Sequence, residues 1–125
     1  MKILYVEDEP LLAETLAETL VEFGYEVVLA EDGNKAKTLI ESTNDFDVLI
    51  TDANLPGLKG PAIAQLFNKK FPNNPICLAS GHLDAEELYK SDLGTLSVYF
   101  LNKPFSQMDL VKWLQAQDKG EKKAA

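Results

Sequence analysis

The residues able to do chemistry stand at the ends of short apolar runs. Glu7, Asp8 and Glu9 follow Ile3 to Val6, and Asp52 follows Val48 to Ile50 with Thr51 between. Ser80 follows Ile76 to Ala79, and Lys103 comes just after Val98 to Leu101. Runs of this length and composition read as buried parallel strands, so their polar ends gather at the edge where open α/β sheets keep their ligands. With the first and third strands adjacent, at least three carboxylates share that edge. Two unit charges about 4 Å apart repel by about 1 kcal/mol in water and about 4 kcal/mol in a partly buried site. Lys103 offsets one such charge and not three, so a divalent cation is the natural counterpart. An all-oxygen set of Asp8, Asp52, a backbone carbonyl near Asn54 and waters suits Mg²⁺, a hard, octahedral ion that dehydrates reluctantly. A carboxylate, a metal and a lysine around one point suit phosphoryl transfer: cations neutralise the spread charge of the transferred group while an aspartate oxygen attacks in line. Ser80 can donate to a phosphoryl oxygen, and Gly81 leaves room for the group.

Each residue also has a plainer reading. Asp is common at strand ends and helix N-caps, Ser80-Gly81 is an ordinary turn, and Lys103-Pro104 an ordinary loop start. Glu7 to Glu9 can serve the dipole of the helix that follows, which accounts for Glu9 but not for Asp52 and Lys103 also ending strands. Their joint placement is the informative feature. Pro56-Gly57 then turns the chain away, which keeps Asp52 to Asn54 in a loop rather than a helix.

The elements that position these residues alternate along the chain. A further apolar run, Val27 to Ala30, completes five strands, and segments of helical period lie between them. Leu12, Leu16 and Leu20 with Ala13, Ala17 and Phe23 form one stripe on a helix opened by Pro10 and closed by Gly24. Asp32-Gly33-Asn34 leads into a second helix that turns Ala36, Leu39 and Ile40 inward. A third starts at Gly60-Pro61, directs Ile63, Leu66 and Phe67 to the sheet, and stops at Pro72-Asn73-Asn74-Pro75. A fourth, around Asp84 to Lys90, has a thin stripe of Ala85, Leu88 and Tyr89. The last has a capping box of Ser106 and Asp109, a hydrophobic staple of Phe105 and Leu110, and a buried face of Leu110, Val111 and Leu114. Five strand–helix alternations predict an α/β fold, a doubly wound parallel sheet with helices on both faces. From Asp118 onward the apolar period is lost, which predicts a frayed tail.

Composition narrows the function classes. At 125 residues, 46% apolar and 26% charged, the chain suits one globular domain. No apolar run approaches the roughly 20 residues that cross a bilayer, and Met1-Lys2 leads directly into the first strand, so a cytoplasmic location is the expectation. A net charge of −8 opposes direct binding to nucleic acid or anionic membrane. Cys77, the one cysteine, sits in an apolar run and reads as an inert core residue.

Over residues 2 to 117 the sequence resembles the receiver domain of bacterial two-component response regulators. The family's acidic pair corresponds to Glu7 and Asp8, its phospho-acceptor to Asp52, and its Pro and Gly four and eight residues on to Pro56 and Gly60. Its switch hydroxyl corresponds to Ser80, its switch aromatic to Phe100, and its Lys-Pro pair to Lys103-Pro104. The resemblance implies a flavodoxin-like five-stranded sheet of order 2-1-3-4-5 with five helices, a receiver domain over 1–118 and a flexible tail over 119–125. It also implies that Asp52 accepts a phosphoryl group from the phosphohistidine of a sensor kinase or phosphotransfer protein and that the partner-binding surface changes in response. The ion, Mg²⁺ or alternatively Mn²⁺, is then held by Asp8, Asp52 and the Asn54 carbonyl, with Glu7 acting mainly through water. Asn54 and His82 tune dephosphorylation, and the Lys103–Pro104 bond is cis. The implied regulator catalyses only its own phosphorylation and dephosphorylation. It acts on a downstream protein target, as a monomer or a phosphorylation-dependent dimer. The segment from Gly94 to Phe100 departs from the family's pattern and bears on the partner surface, not on the chemistry. Met1 directly before the first strand favours a complete single-domain regulator over a receiver cut from a longer protein.

Three rivals share parts of this pattern. A haloacid-dehalogenase-like phosphatase would read Asp52-Ala53-Asn54 as its Asp-x-Asp motif, but there the nucleophile comes early and further acids follow it. A flavin mononucleotide carrier would need a phosphate-cradling first loop, where Glu7-Asp8-Glu9 repels phosphate. A receiver-like docking module that is never phosphorylated would not need Glu7, Asp8, Asp52, Ser80 and Lys103 together.

Overall fold

The computed structural model describes the backbone of residues 1–124 and the side chains of residues 1–118. Strands β1 (Lys2–Val6), β2 (Glu26–Ala30), β3 (Val48–Asp52), β4 (Ile76–Ser80) and β5 (Tyr99–Asn102) form one parallel sheet of order β2-β1-β3-β4-β5. Between and after them come α1 (Pro10–Glu22), α2 (Gly33–Ser42), α3 (Gly60–Lys70), α4 (Ala85–Leu88), α5 (Lys90–Leu93) and α6 (Gln107–Ala124). This is the doubly wound parallel sheet that the alternation predicts, in the flavodoxin-like order that the resemblance implies.

Strand alternation divides the core in two. Leu4 and Val6 of β1 point into a core with Ala36 and Ile40 of α2 and Ile63, Ala64 and Phe67 of α3. Ile3 and Tyr5 point to the other face, against Ala13, Leu16 and Leu20 of α1 and Leu110, Val111 and Leu114 of α6. Every residue of β3 and β4 is buried, as strands covered on both faces must be. Each fully buried Leu or Ile contributes about 1.5–3 kcal/mol, so the middle of the sheet is the rigid base beneath its polar edge.

The helix signals act locally. Asp32 caps α2 by accepting from the Lys35 N–H at 2.8 Å. Ser106 and Asp109 close a reciprocal box at the start of α6, at 3.1 and 3.2 Å, with Asp in the place Glu or Gln usually takes. Phe105 packs on the core that contains Leu110. Gly24, at φ 93°, ends α1 in the left-handed conformation.

Several expectations need correction. The fourth helix is two single turns, α4 and α5, broken at Tyr89, so the described residues form six helical segments and not five. The thin stripe explains the break. Ala85 and Leu93 are buried at either end and Tyr89 at the break packs partly on the core, while Leu88 is 51% exposed, so the apolar contacts do not form one continuous stripe. On α1 the buried stripe is Ala13, Leu16 and Leu20; Leu12 and Phe23 are exposed because Leu12 lies beside that stripe and Phe23 is the C-cap residue. β5 starts at Tyr99, one residue later than the apolar run that signalled it. The tail expected over 119–125 lies outside the residues whose side chains are described.

Candidate functional site

The site is built where β1, β3 and β4 end side by side. Val6 pairs with Thr51, and Asp52 pairs with Ala79, so the chain leaving β1 at Glu7 emerges next to Asp52, with Ser80 one strand further on. The loop after Asp52 is pinned by backbone bonds from Ala53 N–H to Ala79 O (2.8 Å), Gly60 N–H to Ala53 O (3.0 Å) and Gly33 N–H to Pro56 O (3.2 Å). Gly57 takes φ 74° in the turn after Pro56. Gly60 is required for space: a Cβ there would collide with the Asp52 carbonyl oxygen and come within 2.7 Å of Ala53 Cα. The α3 N-terminus therefore packs directly against the backbone of Asp52.

Glu7, Asp8 and Asp52 bring carboxylate oxygens within 4.8 Å of one another. Glu7 and Asp52 are buried and Asp8 is exposed. Lys103 answers them from the end of β5: its Nζ is ion-paired with Asp52 and lies 3.7 Å from Glu7 Oε1. Its backbone N–H donates to Ser80 O at 2.8 Å, and the following Lys103–Pro104 bond is cis. Burial and then the Asp52 charge push the Glu7 carboxyl up to about 7, against the lowering effects of the Glu9 N–H and Lys103. Burial alone would lower Lys103, but its hydrogen bond and charge contact with Asp52, and the charges of Glu7 and Asp8, leave it above the ordinary lysine value. Below this cluster, the Tyr5 hydroxyl is buried without a hydrogen-bond partner among the described residues, and burial followed by the Glu7 charge raises its pKa.

Two buried carboxylates and a third beside them, with one ammonium, leave unneutralised negative charge. All the donors are oxygens, so the set fits a hard divalent ion such as Mg²⁺. Of the remaining residues singled out from sequence, Ser80 is buried at the end of β4, and its Oγ accepts from His82 N–H at 3.1 Å. The His82 side chain is exposed and makes no hydrogen bond or ion pair among the described residues. Asn54 is exposed, and its Oδ1 accepts from Lys59 Nζ at 3.1 Å; Lys59 also donates to Leu55 O at 3.0 Å. Lys59 carried no signal in sequence, because only the folded loop returns it to Asn54. Phe100 stands apart from the acids, paired in register with Leu78 and half-buried against the α2/α3 core.

Residues 3–115 match the family model for the response regulator receiver domain. The chain belongs to that family. Similar solved structures agree with this receiver over nearly its whole length. The receiver domain of Francisella response regulator 1452 is 28% identical, with a TM-score of 0.82 over 96% of this chain and 98% of that one. Chemotaxis response regulator CheY4 of Vibrio cholerae is 29% identical, with a TM-score of 0.79 over 92% and 96%. The non-phosphorylated HemR receiver domain from Leptospira biflexa is 31% identical, with a TM-score of 0.77 over 92% and 91%. This receiver is thus a signalling module of two-component systems, and its acidic cluster fits Mg²⁺. Beside Phe100 a cleft of about 530 Å³ opens between the α4–α5 turns and the approach to β5, lined by Leu83, Glu87, Leu96 and Val98 among others.

Proposed function

We propose that this receiver is a phosphorylation-activated switch whose acceptor is Asp52 and whose donor is a phosphohistidine on a sensor kinase or phosphotransfer protein. The observation that carries this reading is the ion pair of buried Asp52 with Lys103 inside the Glu7, Asp8 and Asp52 cluster. Asp8, Asp52 and the Asn54 carbonyl would hold Mg²⁺, or Mn²⁺ in its place, with Glu7 acting through water. The ion supplies charge neutralisation for the transferred group. An Asp52 oxygen attacks phosphorus as the phosphorus–nitrogen bond breaks; the electron pair stays on the imidazole, which takes up a proton. Lys103 moves its pairing to a phosphoryl oxygen, and Ser80 donates to another. Asn54 and His82 flank the path of the water that later hydrolyses the acyl phosphate.

The output is a changed surface around Phe100 that a downstream protein reads, with the receiver acting as a monomer or a phosphorylation-dependent dimer. Among the described residues no helix is long and apolar enough to cross a membrane. A cytoplasmic location, without direct nucleic-acid contact, belongs to the same proposal.

Incubation with acetyl phosphate and Mg²⁺ should add one phosphoryl group of mass to the wild type and none to Asp52→Ala. An equal gain in Asp52→Ala would assign the acceptor to another residue. Sustained turnover of a free phosphoester would favour the haloacid-dehalogenase-like alternative, and no gain from any phosphohistidine or acyl-phosphate donor would favour an unphosphorylated docking module.

A further inference from the structure

Lys59 stands immediately before α3, and its ammonium bridges two points of the loop after Asp52: Asn54 Oδ1 at 3.1 Å and Leu55 O at 3.0 Å. A lysine ammonium only donates, so its partner chemistry decides which end of the Asn54 carboxamide faces it. The carbonyl oxygen faces Lys59, which takes one of its two lone pairs. That bond competes for the oxygen with any water near Asp52, whereas the amide N–H groups can only donate.

The consequence concerns loss of the phosphoryl group and rests on the proposed function of Asp52. In hydrolysis a water oxygen attacks phosphorus as the phosphorus–oxygen bond to Asp52 breaks. The electron pair returns to the carboxylate, and the water's proton leaves with dihydrogen phosphate. A side chain beside that water assists by accepting a hydrogen bond from it, which keeps the oxygen lone pair aimed at phosphorus. An amide N–H does the reverse, because it engages the lone pair that must attack. We propose that Lys59 is a positioning residue that lengthens the life of the aspartyl phosphate by drawing the Asn54 carboxamide oxygen into its own hydrogen bond and so away from the attacking water.

Lys59→Met keeps the length of the side chain and removes its donors at an exposed position. After phosphorylation with acetyl phosphate and Mg²⁺ and removal of the donor, the added mass should disappear about three- to tenfold faster than in the wild type, the scale of one net hydrogen bond at an exposed position. Lys59→Arg, which retains donors, should restore the slow loss. In an Asn54→Ala background, Lys59→Met should change the rate by less than about 1.5-fold, since no carboxamide oxygen remains for Lys59 to hold. Independently of phosphorylation, the side-chain amide resonances of Asn54 in the metal-free protein should shift in Lys59→Met. An unaltered or slower loss in Lys59→Met overturns the proposal. So does an acceleration of equal size in the Asn54→Ala background, which would place the effect in the charge of Lys59 and not in Asn54. Failure of the wild type to gain any phosphoryl group would overturn the function proposed for Asp52; a normal gain whose lifetime ignores Lys59 overturns the role of Lys59 alone.

Discussion

Lys103 Nζ lies 3.7 Å from Glu7 Oε1 while paired with Asp52, so one ammonium faces both buried carboxylates that end neighbouring strands. Removing it leaves two buried charges facing each other. Lys103→Met should therefore lower the stability of the metal-free protein by about 1 to 3 kcal/mol, a range reduced because Lys103 is partly solvated. Mg²⁺ should recover most of that loss. Urea unfolding with EDTA and with Mg²⁺ checks this; a loss unaffected by Mg²⁺ would mean that Lys103 stabilises the fold by packing.

Asp8 is the exposed member of the cluster, so its charge adds repulsion without a buried partner. Asp8→Asn should weaken Mg²⁺ binding by at least about tenfold while leaving the metal-free melting temperature unchanged or slightly raised. Calorimetric titration and thermal melts read the two effects separately. A lower metal-free melting temperature would make Asp8 chiefly a cap for α1.

The Glu7 carboxyl, raised to about 7 by burial and the Asp52 charge, predicts a pH dependence with a definite sign. The folded state holds this proton more tightly than the unfolded chain, whose Glu titrates near 4.5. Stability from this group is therefore full below about pH 4.5 and is lost as pH rises toward 7. In EDTA the melting temperature should fall across that window, by an amount equivalent to about 1–2 kcal/mol, and Glu7→Gln should flatten the fall. Mg²⁺ requires the ionised carboxylates and should oppose it most at the high-pH end. A melting temperature that rises through the window in both proteins would show that Glu7 is ionised throughout.

Ser80 and Phe100 lie on adjacent strands and share a face: Phe100 pairs with Leu78, two residues before Ser80. Drawing Ser80 toward a phosphoryl oxygen vacates volume beside a half-buried ring that has no hydroxyl to hold it outside. One charge-assisted hydrogen bond of about 1.5–3 kcal/mol is enough to shift such an equilibrium tenfold or more. Ser80→Ala should leave Asp52 reactive but abolish the amide shifts that an acyl-phosphate mimic induces from Leu83 to Leu101. Shifts as large as in the wild type would break the proposed coupling.

The alternation of apolar runs with helical periods was enough to read the sheet class, because parallel strands buried on both faces are continuous apolar runs and their order along the chain limits the topology. The acids after Val6, Asp52 after Thr51 and Lys103 after the last run were legible for the same reason: a polar residue that ends a buried strand has one place to go, the sheet edge. Local signals with short reach also survived folding, such as the Asp32 cap and the Ser106–Asp109 box. Tertiary packing decided the rest. The break at Tyr89 depends on what lies beneath Leu88, and the exposure of Leu12 on how α1 rolls against β1 and β2. The requirement for Gly60 arises because α3 starts against the Asp52 carbonyl, and Lys59 reaches Asn54 because the loop between them folds back on itself. Such contacts follow from distances through space, which the spacing of residues along a chain does not encode.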